Sequence, residues 1–180
     1  MTLAGDYNQN LLSLNSNLGI LNRIYPKVAV DNLDVSYRST CEIMQFAQNI
    51  VGKPINTQLI RHGDKPEIIK TNSVDDFINK IKVITSLHTK DKIAIITKTL
   101  KQAKSLSEHL KDFTPILDEL NENLLTSKRI ITTTYLSKGL EYDIVIIFDA
   151  SEINYSTELD KQNLYVACTR ALHKLYLTYF

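Results

Sequence analysis

The most restrictive feature of this 180-residue sequence is an uninterrupted apolar run, IVIIF, at residues 144–148. A strand with one face in water alternates apolar and polar residues, and this run does not. It therefore predicts a strand covered on both faces, as in the interior of a parallel sheet. Further strands are predicted within residues 27–39, at 66–70 (PEIIK), 91–97 (DKIAIIT) and 129–135 (RIITTTY), and at the closing LYLTYF, 175–180.

Helical patterns separate these strands. Ser39 and Glu42 have capping-box spacing and precede an apolar stripe that ends before Gly52, so they predict a helix between them. Ser73 opens a second helical pattern, residues 99–110 form a third, and residues 160–174 form a fourth. Strands alternating with helices of this length predict an α/β fold, a parallel sheet with helices on both faces.

Composition excludes several classes of protein. Lys+Arg 21 against Asp+Glu 20 leaves a net charge of +1, so the basic excess of a self-sufficient nucleic-acid module is absent. Cys41 and Cys168 form no metal-ligand spacing with the four histidines, which predicts reduced thiols and no metal site. No apolar run approaches the ~20 residues that span a bilayer. We therefore expect a cytoplasmic protein that does not bind membranes.

Ligands of parallel α/β sheets bind beyond the carboxyl ends of the strands, so the loops that follow strands are the candidate sites. The loop after RIITTTY carries Lys138, Gly139 and Glu141. A flexible glycine lets backbone N–H groups turn toward a phosphate, and a carboxylate can bind ribose hydroxyls. The alternative is a solvated turn in which the glycine only permits an unusual φ.

Arg170, Tyr37, Arg38 and Gln9 are further candidates. Arg170 falls within the fourth helical pattern, where a rigidly held guanidinium could stabilise a transferring phosphoryl group. Alternatively, it pairs with a local acid or extends to solvent. Tyr37 and Arg38 stand where a strand meets a helix, so the ring could stack on a base and the guanidinium could reach a phosphate. Gln9 could position a water or contact a phosphate.

The glycines limit what the chain can do alone. They occupy positions 5, 19, 52, 63 and 139 and cannot be arranged as G-x-x-x-x-G-K-[ST]. The chain therefore has no lysine-bearing loop that could hold a triphosphate. We expect no complete ATP hydrolysis by this chain in isolation.

Four short segments occur in a fixed order: GDYNQ (5–9), SYRS (36–39), TTTYLSKGLEYD (132–143) and YVACTRA (165–171). In this order they resemble the later motifs of UvrD/Rep-like superfamily 1A helicases. The resemblance implies a RecA-like domain at residues 27–180, the C-terminal (2A) motor domain, preceded at 1–26 by the tail of another motor domain and a linker. ATP and Mg²⁺ would be bound mainly by that N-terminal motor domain of the same parent chain.

The resemblance also implies roles for individual residues. Arg38 and Arg170 would contact the γ-phosphate in trans, and Gln9 would sense it. Tyr37 would stack near the adenine, and Glu141 would bind the ribose or the metal-linked network, within the loop that contains Lys138 and Gly139. Thr133, Tyr135 and Lys138 would couple the nucleotide state to the nucleic-acid track.

Three departures from the family pattern indicate a branch. Asn10, Leu11 and Leu12 replace the aromatics that stack on DNA, and Tyr135 replaces a frequent histidine. About ninety residues separate SYRS from TTTYLSKG, too few for a large inserted domain. These departures resemble the HelD-like branch, which acts on RNA polymerase. The alternatives are a DNA-unwinding repair helicase of the UvrD/Rep type and a non-catalytic RecA-like interaction module.

Overall fold

The computed structural model describes residues 24, 35–36, 38–52, 58–59, 61–118 and 127–180. The helices are α1 (Cys41–Val51), α2 (Val74–Leu87), α3 (Leu100–His109) and α4 (Glu158–Cys168). The strands are β1 (Val35–Ser36), β2 (Gln58–Leu59), β3 (Glu67–Lys70), β4 (Ile93–Thr97), β5 (Thr114–Pro115), β6 (Arg129–Thr133), β7 (Tyr142–Ile147) and β8 (Ala171–Tyr179). None of the described helices has the length and apolar character that crossing a bilayer requires.

Six strands form one parallel sheet in the order β3-β8-β7-β4-β6-β5, and β1 and β2 form a separate parallel pair. The two most apolar strands, β4 and β7, are neighbours inside the sheet, with Ile95 opposite Ile146. Every residue of β4 is buried. Pro115 lies in β5 at the edge of the sheet, where its missing N–H costs no internal ladder bond. The predicted parallel α/β fold is confirmed.

Helices cover both faces of the sheet. Alternate residues of β4 point to opposite sides, so Ala94 and Ile96 belong to one apolar cluster and Ile93 and Ile95 to the other. The first cluster includes buried residues of α1 and α4, and the second includes buried residues of α2 and α3. Because all six strands are parallel, their amino ends lie along one border of the sheet, here called the amino edge. Their carboxyl ends lie along the opposite border, the carboxyl edge.

Helix starts follow the sequence closely. Ser73 caps α2 by accepting a hydrogen bond from Asp76 N, as predicted. The predicted cap of α1 was wrong by one residue: Thr40, not Ser39, accepts from Ile43 N. Ser39 instead donates its buried hydroxyl to Ala171 O at 2.7 Å, because β8 begins beside it and its carbonyl needs a partner.

The end of the fourth helix was also predicted wrongly. The sequence pattern continues the helix to residue 174, but α4 ends at Cys168 and β8 begins at Ala171. Arg170 therefore lies in the turn between them rather than in a helix. The sheet captures the chain here, since Arg170 O accepts a hydrogen bond from Tyr142 N at 3.0 Å and Ala171 pairs with Tyr142.

The segment after β6 crosses the molecule. β6 ends at the carboxyl edge with Thr133, and β7 begins at the amino edge with Tyr142. Turns at residues 134–139 connect them, passing β4, which lies between the two strands in the sheet. The prediction that this whole loop lies at the carboxyl edge is therefore wrong, because a parallel crossover must carry the chain back to the opposite edge.

Candidate functional site

The amino edge brings together three residues that the sequence predicted as a site. Arg38 lies between β1 and α1, Glu141 directly before β7, and Arg170 directly before β8. Arg38 Nε and Glu141 Oε1 are 2.8 Å apart, and 67% of the arginine side chain and 33% of the glutamate side chain remain exposed. The result is an open pair of opposite charges at the border of the sheet.

The surrounding backbone fixes Arg38 in place. Ser39, the next residue, is buried and anchored to Ala171 O at the start of β8. Thr40 then caps α1. Because Ala171 follows Arg170 and pairs with the first residue of β7, the same contacts connect all three candidate segments.

Arg170 differs sharply from Arg38, since it is only 3% exposed. Its Nε donates to Val166 O at 3.2 Å, and its Nη2 donates to the Thr169 hydroxyl at 3.3 Å. Burial raises the pKa of Tyr142 to about 12, although the positive charge of Arg170 acts in the opposite direction. In the conformation described, the guanidinium is directed into its own domain.

Lys138 and Gly139 lie in the crossover that leads to Glu141. Lys138 is exposed, and its backbone N–H donates to Tyr135 O at 3.3 Å within the turn. Gly139 has φ +85°, and nothing lies within 4 Å of an added Cβ. The glycine therefore supplies a backbone conformation that other residues rarely adopt. The ligand-binding roles predicted for Lys138 and Gly139 stay predictions.

Two of the three residues predicted to couple to nucleic acid, Thr133 and Tyr135, lie at the carboxyl edge. Thr133 is buried, and its hydroxyl accepts from Leu136 N at 3.3 Å, which starts the turn. Tyr135 is 50% exposed. Gln9 and Tyr37, like residues 1–23 as a whole, lie outside the described residues, so their predicted roles stay predictions.

Sequence reasoning missed a polar group at the carboxyl edge. Lys98, just after β4, pairs with Asp160 at 2.7 Å, and its Nζ lies 5.6 Å from the centre of the Tyr155 ring. Burial opposes ionisation of Asp160, but hydrogen bonds from Lys98 and Thr157 lower its pKa. Lys98 and Asp160 are 62 positions apart, and only the order of the strands brings them together, so no sequence pattern indicates the pair.

A second missed group lies at the amino edge. Arg61 Nη2 donates to His173 Nδ1 at 2.9 Å, and Arg61 Nη1 donates to Arg38 O at 2.7 Å. The only sequence signal was the polar run RHGDK at 61–65, which reads as a loop between strands.

The amino edge carries two of the functional groups that a nucleotide site uses. An exposed guanidinium can donate to phosphate oxygens, and an adjacent carboxylate can accept from hydroxyl groups, which is the chemistry of Arg38 and Glu141. Arg170 does not fit as placed, because its guanidinium is buried. Within the described ranges, no group of three or more His, Cys, Asp and Glu could hold a metal ion.

Comparison with known proteins gives consistent relatives. Residues 130–178 match the family described as the UvrD-like helicase C-terminal domain. The fold is similar to the crystal structure of the C-terminal domain of a possible DNA helicase from Lactobacillus plantarum WCFS1, with 32% identity and a TM-score of 0.65 over 80% of this chain and 87% of that one. A 79-residue segment is 42% identical to the RecBCD enzyme subunit RecB of Chlamydia pneumoniae; it spans 38% of this chain and 7% of that subunit.

Proposed function

This chain belongs to the UvrD-like helicase C-terminal domain family, and from that premise we propose that it completes an ATP site held by another domain. That other domain would be the N-terminal motor domain of the same parent chain, in a cytoplasmic ATP-dependent helicase or translocase. It would supply the phosphate loop that the glycine positions exclude here and most of the contacts to Mg²⁺.

The exposed pair of Arg38 and Glu141 carries this proposal. ATP supplies the phosphoanhydride bond, and the protein lowers the barrier chiefly by positioning groups and stabilising charge. Arg38 would bind the γ-phosphate oxygens, and Glu141 would bind the ribose. Since the two side chains already pair at 2.8 Å, each is oriented before the nucleotide arrives.

The remaining roles rest on the resemblance. Gln9 would sense the γ-phosphate, and Tyr37 would stack near the adenine. Arg170 would be the second arginine on the γ-phosphate, which requires its guanidinium to leave Val166 O and the Thr169 hydroxyl. Thr133, Tyr135 and Lys138 would couple nucleotide state to the nucleic-acid track.

The first experiment compares steady-state ATP hydrolysis by the full-length parent protein with its Arg38→Ala variant. An arginine that stabilises the transferring phosphoryl group is worth about 10³–10⁵ in kcat, and we expect a loss of at least the lower value. Arg129 is the matched control, because it also lies at the amino edge, at the start of β6, with its own partner Asp112 at 3.6 Å. Arg129→Ala should retain near wild-type turnover. Near wild-type turnover by Arg38→Ala would refute the proposal.

Arg170 needs a separate test because it is buried. If it contacts phosphate, Arg170→Ala lowers kcat by a similar factor with ATP binding retained. If Arg170 only holds the turn between α4 and β8, the Arg170→Ala variant has a lower free energy of unfolding. Under conditions where this variant is folded, its kcat stays near that of the wild type. Measuring both quantities on the same protein distinguishes the two roles.

The target of the proposed motor is either RNA polymerase or DNA. The residues that replace the DNA-stacking aromatics favour action on RNA polymerase, as in the HelD-like branch. The relatives described above, a possible DNA helicase and a subunit of RecBCD, favour DNA. Stimulation of the parent's ATPase by RNA polymerase supports the first, whereas stimulation by single-stranded DNA with directional unwinding supports the second. Absence of any turnover supports a non-catalytic interaction module.

A further inference from the structure

A short segment crosses the amino edge beside Arg38. It comprises residues 61–64, Arg-His-Gly-Asp, and is called the strap below. Its carbonyl at Arg61 accepts a hydrogen bond from Cys41 N at 2.7 Å, at the first residue of α1. At its other end, Asp64 pairs with Lys174 of β8 at 2.8 Å. The strap therefore joins the start of α1 to the last strand.

Two features hold the middle of the strap against α1. Glu42 accepts from Gly63 N at 2.9 Å and pairs with His62 Nδ1 at 3.0 Å. A Cβ added to Gly63 would lie 2.6 Å from the Thr40 methyl group, so only glycine fits this approach. The strap thus packs directly on the residue that caps α1.

The Arg61 side chain makes two directed contacts from this fixed backbone. Nη1 donates to Arg38 O at 2.7 Å, and Nη2 donates to His173 Nδ1 at 2.9 Å. Since a guanidinium only donates, Nδ1 is the acceptor, and in the neutral ring the proton is on Nε2, 3.7 Å from Asp143 Oδ1. The other oxygen of Asp143 accepts from Lys92 N at 2.7 Å, which ties this chain of contacts to the central strands.

We propose that Arg61 is a positioning residue for Arg38. It holds the Arg38 carbonyl from the solvent side. The next residue, Ser39, is anchored to Ala171 O of β8 on the buried side. With its backbone held at both points, Arg38 keeps Nε against Glu141. The inference rests on the proposed function, in which Arg38 contacts the nucleotide.

The direct test uses the 180-residue chain and needs no nucleotide. In NMR spectra of ¹⁵N-labelled protein, we expect the Arg38 Nε–H to exchange with solvent more slowly than that of an unpaired arginine, because it donates to Glu141. We expect Arg61→Met, which keeps side-chain length but no donor, to accelerate that exchange by about twofold to fivefold, which is all the protection that an exposed ion pair provides. Arg61→Lys keeps one donor for Arg38 O, so its exchange rate should lie between those of the wild type and Arg61→Met. Asp64→Asn breaks a strap contact that does not touch Arg38 and should leave the exchange unchanged.

The functional test uses the full-length parent. A displaced catalytic group can cost about a hundredfold, so Arg61→Met should lower kcat by about tenfold to a hundredfold with KM for ATP little changed. The double variant, Arg61→Met with Arg38→Ala, should have the same kcat as Arg38→Ala, because both substitutions act through the Arg38 side chain. Asp64→Asn should have wild-type turnover.

The outcomes are distinct. Unchanged Arg38 Nε–H exchange in a folded Arg61→Met protein overturns the positioning role, whatever happens to turnover. Faster exchange supports that role even if Arg38→Ala itself proves active, and in that case only the proposed nucleotide contact fails. An additive loss of kcat in the double variant shows that Arg61 acts apart from Arg38 and also overturns the inference.

Discussion

Arg38 and Glu141 hold opposite charges in contact while a large part of both side chains stays in water. An exposed pair of this kind contributes only about 0–1 kcal/mol to stability. Stability is therefore a weak reason for the pair, and the same weakness makes it easy to open. A phosphate or a ribose hydroxyl can replace either partner at small cost, as the proposed nucleotide contact requires.

Glu42 should make the fold sensitive to acid. The hydrogen bond from His62, followed by backbone hydrogen bonds including that of Gly63, lowers the pKa of Glu42 from 4.5 to about 2. A lowered pKa in the folded state adds stability that is present above the ordinary value and is lost as the pH falls toward about 2. In urea unfolding, the wild-type protein should have a larger free energy of unfolding than Glu42→Gln at neutral pH. This difference should disappear near pH 2.

His62→Gln provides the control for this prediction, because it removes the largest cause of the lowered pKa and leaves the carboxylate in place. The difference in free energy of unfolding between this variant and Glu42→Gln should be smaller than the wild-type difference at neutral pH, and it should also disappear near pH 2. A wild-type advantage that persists unchanged to pH 2 would show that Glu42 contributes by packing rather than by charge.

Gly139 should be required for the backbone conformation of its turn. At φ +85° an added Cβ meets no neighbouring atom but is strained by its own backbone. Gly139→Ala should therefore lower the free energy of unfolding by about 1–2 kcal/mol, measured by chemical denaturation. Gly139→Asn should recover part of the loss, since asparagine tolerates positive φ better. Equal destabilisation by both residues would contradict this explanation.

Among the elements, local signals succeeded where one segment decides its own structure. The apolar runs of β4 and β7 and the Ser73 cap of α2 have the predicted positions. The sequence failed where a distant segment decides. The helix pattern near Arg170 stops early because Tyr142 N, 28 positions away, captures its carbonyl. Thr40 rather than Ser39 caps α1, because the Ser39 hydroxyl donates to the buried carbonyl of Ala171 in β8.

The capping box of α4 should be a measurable part of that helix's stability. Thr157 accepts from Asp160 N and its own N–H donates to Asp160 Oδ2, both at 3.1 Å. Removing such a cap costs about 1 kcal/mol, so Thr157→Ala should lower the thermal midpoint of the chain. Thr89→Ala, at an exposed bend, makes the same chemical change without a cap and should have little effect. Equal midpoints for the two variants would contradict the capping role.

At the scale of the whole molecule, the candidate residues separate by edge of the sheet. Arg38, Glu141 and Arg170 lie at the amino edge, whereas Thr133 and Tyr135 lie at the carboxyl edge. The sequence placed Thr133, Tyr135 and Glu141 together in one loop at the carboxyl edge, because it could not show how far a crossover travels. The short connection from β6 to β7 joins the two groups, so a displacement at one edge has a direct covalent route to the other.

The two apolar clusters should unfold as one unit, because β4 and β7 contribute alternate residues to both. Ile96 faces α1 and α4, and Ile96→Val should cost about 1 kcal/mol. Amide hydrogen exchange would then accelerate by about fivefold at the slowest sites on both faces, including Ile95 and Ile146. Ile68→Val deletes the same methylene group at a position that is 59% exposed and should leave these rates nearly unchanged. Acceleration confined to residues that contact α1 and α4 would mean that the two layers open separately, and a displacement at the amino edge could then not be transmitted through a rigid sheet.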